Sequence, residues 1–565
     1  MRKVFALPFR CALFAGGVLA AGVLAPRTAS AQEVLLSDTE NYYEFLALQG
    51  LAERPYLNYR TLSDSTWKIT EGADHPWKDS LNNPVRELSD SVRFRIYGPE
   101  LFTSYNSAAP YGQNDGVLWQ GKGFNSSVTA GARLEAYGFE LTLKPTVAFS
   151  QNLAFDLVAP AYSEKESEVD YSGKAAEYGY FGVRSIDAPQ RFGDDPFFDY
   201  SWGDSEIRYT WKSLTAGFGT QLVWLGPAKI NPIIHSNNAP PYPKFDIGLR
   251  KTAVVLPKLG WYLGHFETRL WWGYLSESDW FDNDSGNDHN MISGLTVAYA
   301  PPVLDGLTLF ANRTYLAKWG KDSWRTIPSL FFVNLGGGGA QDVWDQRASL
   351  GFSWLVPIGG IEVYGEAGLN DYGPSLDGYI RYPFHSMVYT AGLQKEFEVQ
   401  LKAPVLGRLL FEWSNFEISQ DFQFQWPSTF YAHHQIIQGY TNSGQWIGAG
   451  NGTGGNSQCI GLQFYVPKTE VSIFMQRTNP DNDFIYKESI LKTPSMWTNS
   501  ENPISDFKAV LKCGLYISRV FFDTMSIKIG YSFIKIHNPQ YESIHWGQTD
   551  KQTNYNFEFS TSYFF

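Results

Sequence analysis

The end of the chain alternates without a break: Tyr555, Phe557, Phe559, Thr561, Tyr563 and Phe565 share one face of an extended strand, and Asn556, Glu558, Ser560 and Ser562 the other. Side chains of a strand point to opposite faces at every step, so this segment has one apolar and one polar side. The buried edge of a soluble sandwich could share the pattern, but rarely ends on aromatic residues with no polar tail. Upstream, Val128, Ala130, Ala132, Leu134 and Ala136 oppose Arg133 and Glu135, and Ile527, Ile529, Tyr531 and Phe533 oppose Lys528, Gly530 and Ser532. Lipid on one side and a watery or plugged interior on the other explain both strands, with the charges inside.

No stretch after the first thirty or so residues approaches the roughly 18 uncharged apolar residues of a membrane helix, so a membrane protein of this sequence must be a closed β-barrel. Aromatic content of 16% with 52 glycines agrees. The final strand also resembles the recognition strand of outer-membrane barrels, which ends in Phe. At the other end, Arg2, Lys3 and Arg10 precede a mostly apolar run from Cys11 to Ala25, and Ala29, Ser30 and Ala31 offer a cleavage site. This is the pattern of a secretory signal peptide cut after Ala31, the apolar run being too short for an uncleaved anchor. Cys11 follows Pro8, Phe9 and Arg10, which is not a lipoprotein setting. Cleavage removes four basic residues and leaves 41 Lys+Arg against 57 Asp+Glu, a formal charge of −16. Such an acidic chain is a poor partner for nucleic acid.

Connections alternate in length. Tight turns fall at 137–138, 212–214, 257–260, 300–306, 357–360, 402–405, 466–469 and 522–525, and long polar loops at about 151–202, 225–246, 276–289, 320–345, 371–385, 419–456, 479–505 and 538–552. Short periplasmic turns with long external loops are the asymmetry of a porin-like barrel. Seventeen strands can be read from residue 127 onward. An even number is the rule for single bacterial chains, so an eighteenth is expected near 91–98 or 115–122. Before the barrel, Ser37 and Glu40 stand at capping-box spacing, and Tyr42, Phe45, Leu46 and Gln49 follow helical spacing. They predict an amphipathic helix at about 38–50, on the periplasmic side, which either covers the barrel mouth or serves as a tether. The expected organisation is a signal peptide (1–31), a periplasmic helical segment (32–90) and an all-β, transmembrane antiparallel barrel of about 18 strands (91–565).

Several motifs carry a resemblance. Trp224-Leu225-Gly226-Pro227 is followed by His235-Ser236-Asn237-Asn238-Ala239-Pro240, then Gly365-Glu366-Ala367 with Asn370-Asp371, then His433 and Gly439-Tyr440-Thr441-Asn442-Ser443-Gly444-Gln445 with Ile447-Gly448. Together they resemble the capsule-assembly Wzi family of outer-membrane proteins, from the N-terminal helix to about residue 460. Two departures are Pro227-Ala228, where a Pro-Gly pair is expected, and the glycine-rich stretch Gly450-Asn451-Gly452-Thr453-Gly454-Gly455. The resemblance implies a barrel of roughly eighteen strands with helices on the periplasmic side, acting without catalysis as a lectin that holds capsular or other surface polysaccharide.

A polysaccharide offers hydroxyls and weakly apolar ring faces, so its site needs amides or carboxylates for hydrogen bonds and aromatic rings for stacking. Candidates are Trp224, His235, Asn237, Asn238 and Tyr242 in the first long motif, and His433, His434, Tyr440, Asn442 and Trp446 in the second. Equally, these amides can fold loops by bonding backbone turns. Asp282, Asp284, Gly286 and Asp288 are spaced somewhat like a calcium loop, but the glycine falls one position early and no bidentate Glu follows, so a solvated loop tip is the preferred reading and no metal is expected. Gly336 to Gly339 lacks the Lys-Ser/Thr of a phosphate loop. Cys459 and Cys513 should face opposite sides of the wall, which disfavours a disulfide. Neither His265 with Glu267 nor His433 with a loop serine forms a recognisable catalytic set, and neither an enzyme nor a cofactor is expected. The expected partners are surface polysaccharide, outer-membrane lipid and the barrel-insertion machinery, for a monomer in the cell outer membrane. The rival is a diffusion porin or uptake channel, whose lumen would also be charged by Arg133, Glu135, Glu267 and Arg269. Apolar residues in long loops, such as Leu330-Phe331-Phe332-Val333, favour a closed lumen.

Overall fold

The structure is a computed structural model that describes residues 32–33, 37–78, 85–158, 177–179, 186–256, 258–331, 344–370, 376–381, 384, 386–418, 429–433, 435–485, 507–542 and 550–563. The signal peptide expected over 1–31, His434, Phe332, Val333, Gly336 to Gly339 and Phe565 lie outside the described residues.

Eighteen antiparallel strands close into a barrel. They are β1 (Val92–Asn106), β2 (Gly123–Ala136), β3 (Phe139–Leu143 and Thr146–Ser150), β4 (Phe197–Ser201 and Glu206–Trp211), β5 (Leu214–Gly219), β6 (Lys244–Val255), β7 (Tyr262–Ser276), β8 (His289–Ala300) and β9 (Leu307–Lys318). The second half is β10 (Trp344–Val356), β11 (Ile361–Asn370), β12 (Met387–Gln400), β13 (Pro404–Asn415), β14 (Asn456–Val466), β15 (Thr469–Asn479), β16 (Ala509–Phe521), β17 (Met525–His537) and β18 (Lys551–Tyr563). Both β3 and β4 are single wall strands with an interruption: the first halves of one pair with the second halves of the other. Pro145 causes the first interruption, since it has no N–H for the ladder. Closure comes from β18 on β1, with Asn556 opposite Asn106 and Ser562 opposite Glu100. The eighteenth strand is therefore β1, at the 91–98 candidate. The 115–122 candidate is loop: Gly116 takes a left-handed φ of 63° and Leu118 is buried.

Alternation sorts the wall as the sequence predicts. Val128, Leu134, Leu350, Ile529, Tyr531, Tyr555 and Phe557 stand exposed on the outside, whereas Arg133, Glu267, Arg269, Asn554 and Asn556 are buried in the interior. Among the described residues no helix is long and apolar enough to cross a membrane, and this apolar exterior is the surface of a barrel that crosses by its strands. Cys459 is buried and Cys513 exposed, on opposite sides of the wall. Strands are joined by tight turns at one end and by long loops at the other, here L1 (107–122), L2 (151–196), L3 (220–243), L4 (277–288), L5 (319–343), L6 (371–386), L7 (416–455), L8 (480–508) and L9 (538–550).

The N-terminal segment stoppers the short-turn end. Helix α1 (Asp38–Leu48) begins where Ser37 Oγ accepts the Glu40 N–H at 3.1 Å, as the capping-box spacing requires. Its aromatic face stacks inward: Tyr42 lies 4.1 Å from Trp77 and Phe45 lies 4.3 Å from Tyr465 of β14. Each such pair adds about 0.5–1.5 kcal/mol beyond area burial. Asp38 pairs with Lys528 of β17 at 2.8 Å and Gln49 bonds Glu396 of β12, so the helix is tied to several parts of the wall. The same segment carries a three-stranded sheet that the sequence reading did not anticipate, with residues 66–69 pairing both 32–33 and 52–53. Strands of two to four residues are too short to show a period.

The lipid-facing reading makes a numerical prediction. Leu350, in the middle of β10 and 62% exposed, points outward. Leu350→Arg is expected to destabilise the barrel by about 2–4 kcal/mol if it sits at the bilayer midplane. Urea unfolding in lipid vesicles checks this, and a neutral substitution would remove β10 from the hydrocarbon.

Candidate functional site

Two glutamates of the wall organise everything inside it. Glu267 of β7 accepts the backbone N–H groups of Leu57, Asn58 and Tyr59, at 2.8, 2.9 and 2.6 Å. Glu412 of β13 accepts those of Lys229, Ile230 and Asn231 in L3, at 2.6, 3.1 and 2.8 Å. A carboxylate buried in this way is stabilised by charge-assisted bonds, and each also satisfies backbone donors that a chain inside a barrel could not give to water. The imagined His265 and Glu267 pair is thus not assembled: His265 bonds Tyr262 at 2.7 Å, while Glu267 holds backbone. Around Asp64 of the plug, Arg269 and Asp246 continue a buried charge network to Arg208 and Glu206. Burial would raise the Asp64 carboxyl, but Arg269, Arg250 and Arg208 hold it down at about 2.

Most of the sequence-predicted ligand residues lie in the interior of this loop packing. Trp224 is buried, lies against Arg60 with the guanidinium 5.1 Å from its ring, and exchanges backbone bonds with Arg60 at 3.1 and 2.9 Å, joining L3 to the plug. His235 lies 2.8 Å from the Tyr242 hydroxyl with both rings buried. Burial and the nearby Lys244 lower the His235 pKa to about 3, so it is neutral. Tyr440 is buried beneath Arg347 and stacked on Tyr431. Asn442 donates to Pro240 O at 2.9 Å and accepts the Ser276 N–H at 3.0 Å. His433 Nδ1 accepts the Gln435 and Ile436 N–H groups at 3.2 and 3.1 Å. Asn237 donates to Asn114 O at 2.7 Å and lines a small interior cavity. These side chains fold L3 and L7 into the barrel, over an apolar cluster that includes Ile233, Ile234, Phe430 and Tyr431.

Asn238 and Trp446 are brought together elsewhere. They line a cavity of about 520 Å³ at the long-loop end, between L1, L2, L3, L7, L8 and L9. Amides predominate on its polar side, with Gln113, Gln120, Gln445, Gln476 and Asn451 among them, and Tyr111, Trp119 and Tyr541 supply rings. Three polar atoms of this lining are buried without a hydrogen-bond partner: Gln120 Oε1, Asn451 Oδ1 and Trp119 Nε1. Such unpartnered buried groups are costly. Burial pushes the Asp115 carboxyl of the same wall up to about 7, against a bond from Gln120 that lowers it. Gly450 is required here, because a Cβ would stand 2.4 Å from Asn238 Oδ1. Sequence reasoning missed the L1 residues, having weighed 115–122 as a strand. The signal available was Trp119-Gln120, an aromatic beside an amide between Gly116 and Gly121.

The acidic tip of L4 folds on itself, Asp282 and Asp284 accepting the N–H groups two residues on. Among the described residues no group of His, Cys, Asp and Glu side chains is arranged to hold a metal ion.

A transmembrane barrel whose interior is filled by an N-terminal plug and infolded loops belongs to the occluded outer-membrane barrels rather than to open channels. A family model for capsule assembly protein Wzi matches residues 96–543, and the chain belongs to that family. The match starts in β1 and continues past residue 460, where the motifs stop, while α1 lies outside it. Among solved structures, Escherichia coli Wzi, described as a carbohydrate-binding β-barrel involved in group 1 capsule assembly, aligns with a TM-score of 0.50 at 12% identity, covering 82% of this chain and 84% of that one. Pseudomonas putida OprB gives a TM-score of 0.36 at 10% identity, covering 83% and 94%, and Pseudomonas aeruginosa OprD 0.36 at 7%, covering 84% and 94%. None of the curated proteins searched by sequence matches the chain.

The loop packing has a pH dependence. Fully buried Asp187 of L2 accepts from Ser278 Oγ and N–H of L4 at 2.5 and 2.7 Å and from the Gly444 N–H of L7 at 3.1 Å. Burial outweighs these bonds and raises its carboxyl from 3.8 to about 7. Between those values the folded loops hold a proton that the unfolded chain has released, so the junction weakens as pH rises through this window. Asp187→Asn is expected to flatten that slope in proteolytic protection of the loops measured against pH; an unaltered slope would assign it to another group.

Proposed function

We propose that this protein is a non-catalytic lectin of the outer membrane, which holds capsular or other surface polysaccharide in the cavity at its long-loop end. On this reading the long loops face the exterior, α1 and the rest of the plug lie on the periplasmic side, and a single chain is the working unit. One observation carries it: a cavity of about 520 Å³ among the long loops, lined by amides and aromatic rings. Planar amides match paired sugar hydroxyls, and flat rings match the apolar faces of hexoses. Membership of the Wzi family and the fold shared with Escherichia coli Wzi support the same reading. The filled lumen argues against a wide diffusion channel, and the amides and rings of the cavity suit adhesion to a sugar.

The reading separates residues that bind from residues that fold loops. Trp119→Ala and Gln120→Ala, in full-length protein purified in detergent, are each expected to weaken surface-polysaccharide capture roughly tenfold while the melting temperature changes little. Asn442→Ala is expected to lower thermal stability first. A polysaccharide pull-down with the three variants decides the matter: unchanged capture by both L1 variants would take the ligand out of this cavity. Steady conductance of a wide pore by the unaltered protein in planar bilayers would replace the lectin with a channel.

A further inference from the structure

The interior is not solid. Beneath the loop-end cavity lies a second one of about 200 Å³, whose lining includes Glu40, Glu44, Arg60, Lys229, Asn114 and Asn237. A third, of about 430 Å³, shares Glu44, Arg60 and Lys229 with the second and reaches Pro301, Pro302 and Asp305 in the tight turn between β8 and β9. The lower two are thus contiguous and extend to the short-turn end of the barrel. Both are polar and far above the roughly 15 Å³ that one water needs, so they suit water.

What separates them from the loop-end cavity is very thin. Gln113 and Asp115 line the upper cavity, and Asn114 between them lines the lower; Asn238 lines the upper, and Asn237 beside it the lower. The partition is therefore a septum one residue thick, made of the L1 tip and one step of L3. Six bonds tie the tip to L3: Asn237 Nδ2 to Asn114 O and Gly116 N–H to Asn237 O, both 2.7 Å, Asn114 Nδ2 to Ile230 O at 3.0 Å, Asn114 N–H to Asn238 Oδ1 at 3.2 Å, and Gln113 Nε2 to Asn231 Oδ1 at 2.8 Å and to Ile230 O at 3.3 Å; Gln445 Nε2 of L7 adds one to Gly116 O at 3.2 Å. The tip is a tight turn. Asn114 takes a left-handed φ of 61°, outside the favoured region for a residue with a side chain, and glycines stand at 112 and 116. The Oδ1 atoms of Asn114 and Asn237 are buried and unpartnered, so the closed septum leaves bonding capacity unused.

We propose that this septum is a valve: when the L1 tip swings off L3, the three cavities join into one water-filled path through the barrel, which passes inorganic ions and small hydrophilic solutes. The lower two cavities carry Arg54, Arg60, Lys229 and Lys251 against Glu40, Glu44, Glu53, Asp305 and Glu362, with Lys229 3.1 Å from Glu44, so the path is acidic on balance. This differs from an open porin, because the resting molecule is shut, and it does not depend on which glycan, if any, the upper cavity holds.

Planar-bilayer recordings in potassium chloride, with the full-length protein, test it. The unaltered protein is expected to show rare, brief openings. Asn114→Gly combined with Asn237→Ala removes two of the six bonds to L3 and is expected to raise the open fraction at least roughly tenfold. Asn442→Ala cuts loop-folding bonds that line none of the three cavities and is expected to stay as quiet as the parent. Under a salt gradient, adding Lys229→Gln to the septum variant should shift the reversal potential further toward cation selectivity, because it removes one cation from a lining that is already net acidic. A septum variant that keeps the heat-modifiable gel migration of a folded barrel yet stays silent would overturn the proposal. So would equal opening by Asn442→Ala, or a reversal potential that ignores Lys229.

Discussion

A closed barrel of this width must fill or flood its interior, and here the filling rests on carboxylates placed in the wall. Taking an ionised side chain out of water costs several kcal/mol unless it is fully bonded. Glu267 and Glu412 meet that demand with three successive backbone N–H groups each, from the plug and from L3 respectively. The converse also holds: the incoming segments need acceptors for N–H groups that have no helix or sheet partner at those points. Plug, L3 and wall are therefore mutually dependent, and Trp224 against Arg60 closes the triangle by joining the first two directly. Arg54, bidentate on Glu362 at 2.6 and 2.7 Å and bonded to Glu44 of α1, repeats the same arrangement at the short-turn end. A lumen held by such contacts is occluded by construction.

The barrel was legible because its physics is periodic. Two-residue alternation, such as Ile529, Tyr531 and Phe533 against Lys528, Gly530 and Ser532, survives any packing detail, since lipid imposes it residue by residue. The turns and loops were legible from their length. The plug was only half legible: the Ser37 cap and the spacing of Tyr42 and Phe45 foretell α1, but its destination depends on Trp77, Tyr465 and Glu396, residues up to several hundred positions away. Choosing between a tether and a stopper needs those partners, and no local pattern encodes them.

Of the candidate ligand residues, the structure places Asn238 and Trp446 at the loop-end cavity and buries most of the others in the loop packing. Asn-Asn-Ala-Pro and Gly-Tyr-Thr-Asn stand out because they are chemically rich, yet His235, Tyr242, Tyr440 and Asn442 face one another or the backbone. A motif dense in amides and aromatics serves a loop that must fold inside a barrel as well as one that must hold sugar, because both tasks require hydrogen bonds and flat apolar surface. Exposure to a cavity separates the two, and exposure is a tertiary property. Asn238 shows how fine the distinction is: its amide donates to Trp446 O at 3.0 Å as a loop fastener, while the residue lines the large cavity.

The two proposals place their demands on the same loops. A surface that holds a long polymer must resist being pulled apart by it, and loops standing free above a barrel rim would give way under load. Here L3 and L7 are folded down into the lumen and anchored on β7, β11 and β13 through Ser276, Gly368 and Glu412. The wall of the loop-end cavity thus rests on the barrel itself. L1 is fastened by amide bonds to β1 and to L3. It contributes Trp119 and Gln120 to that cavity, and its tip leans on L3 through a few amide bonds around a left-handed Asn114. L1 and the Asn237–Asn238 step of L3 both line the loop-end cavity and floor it, so the septum couples that cavity to the ones beneath.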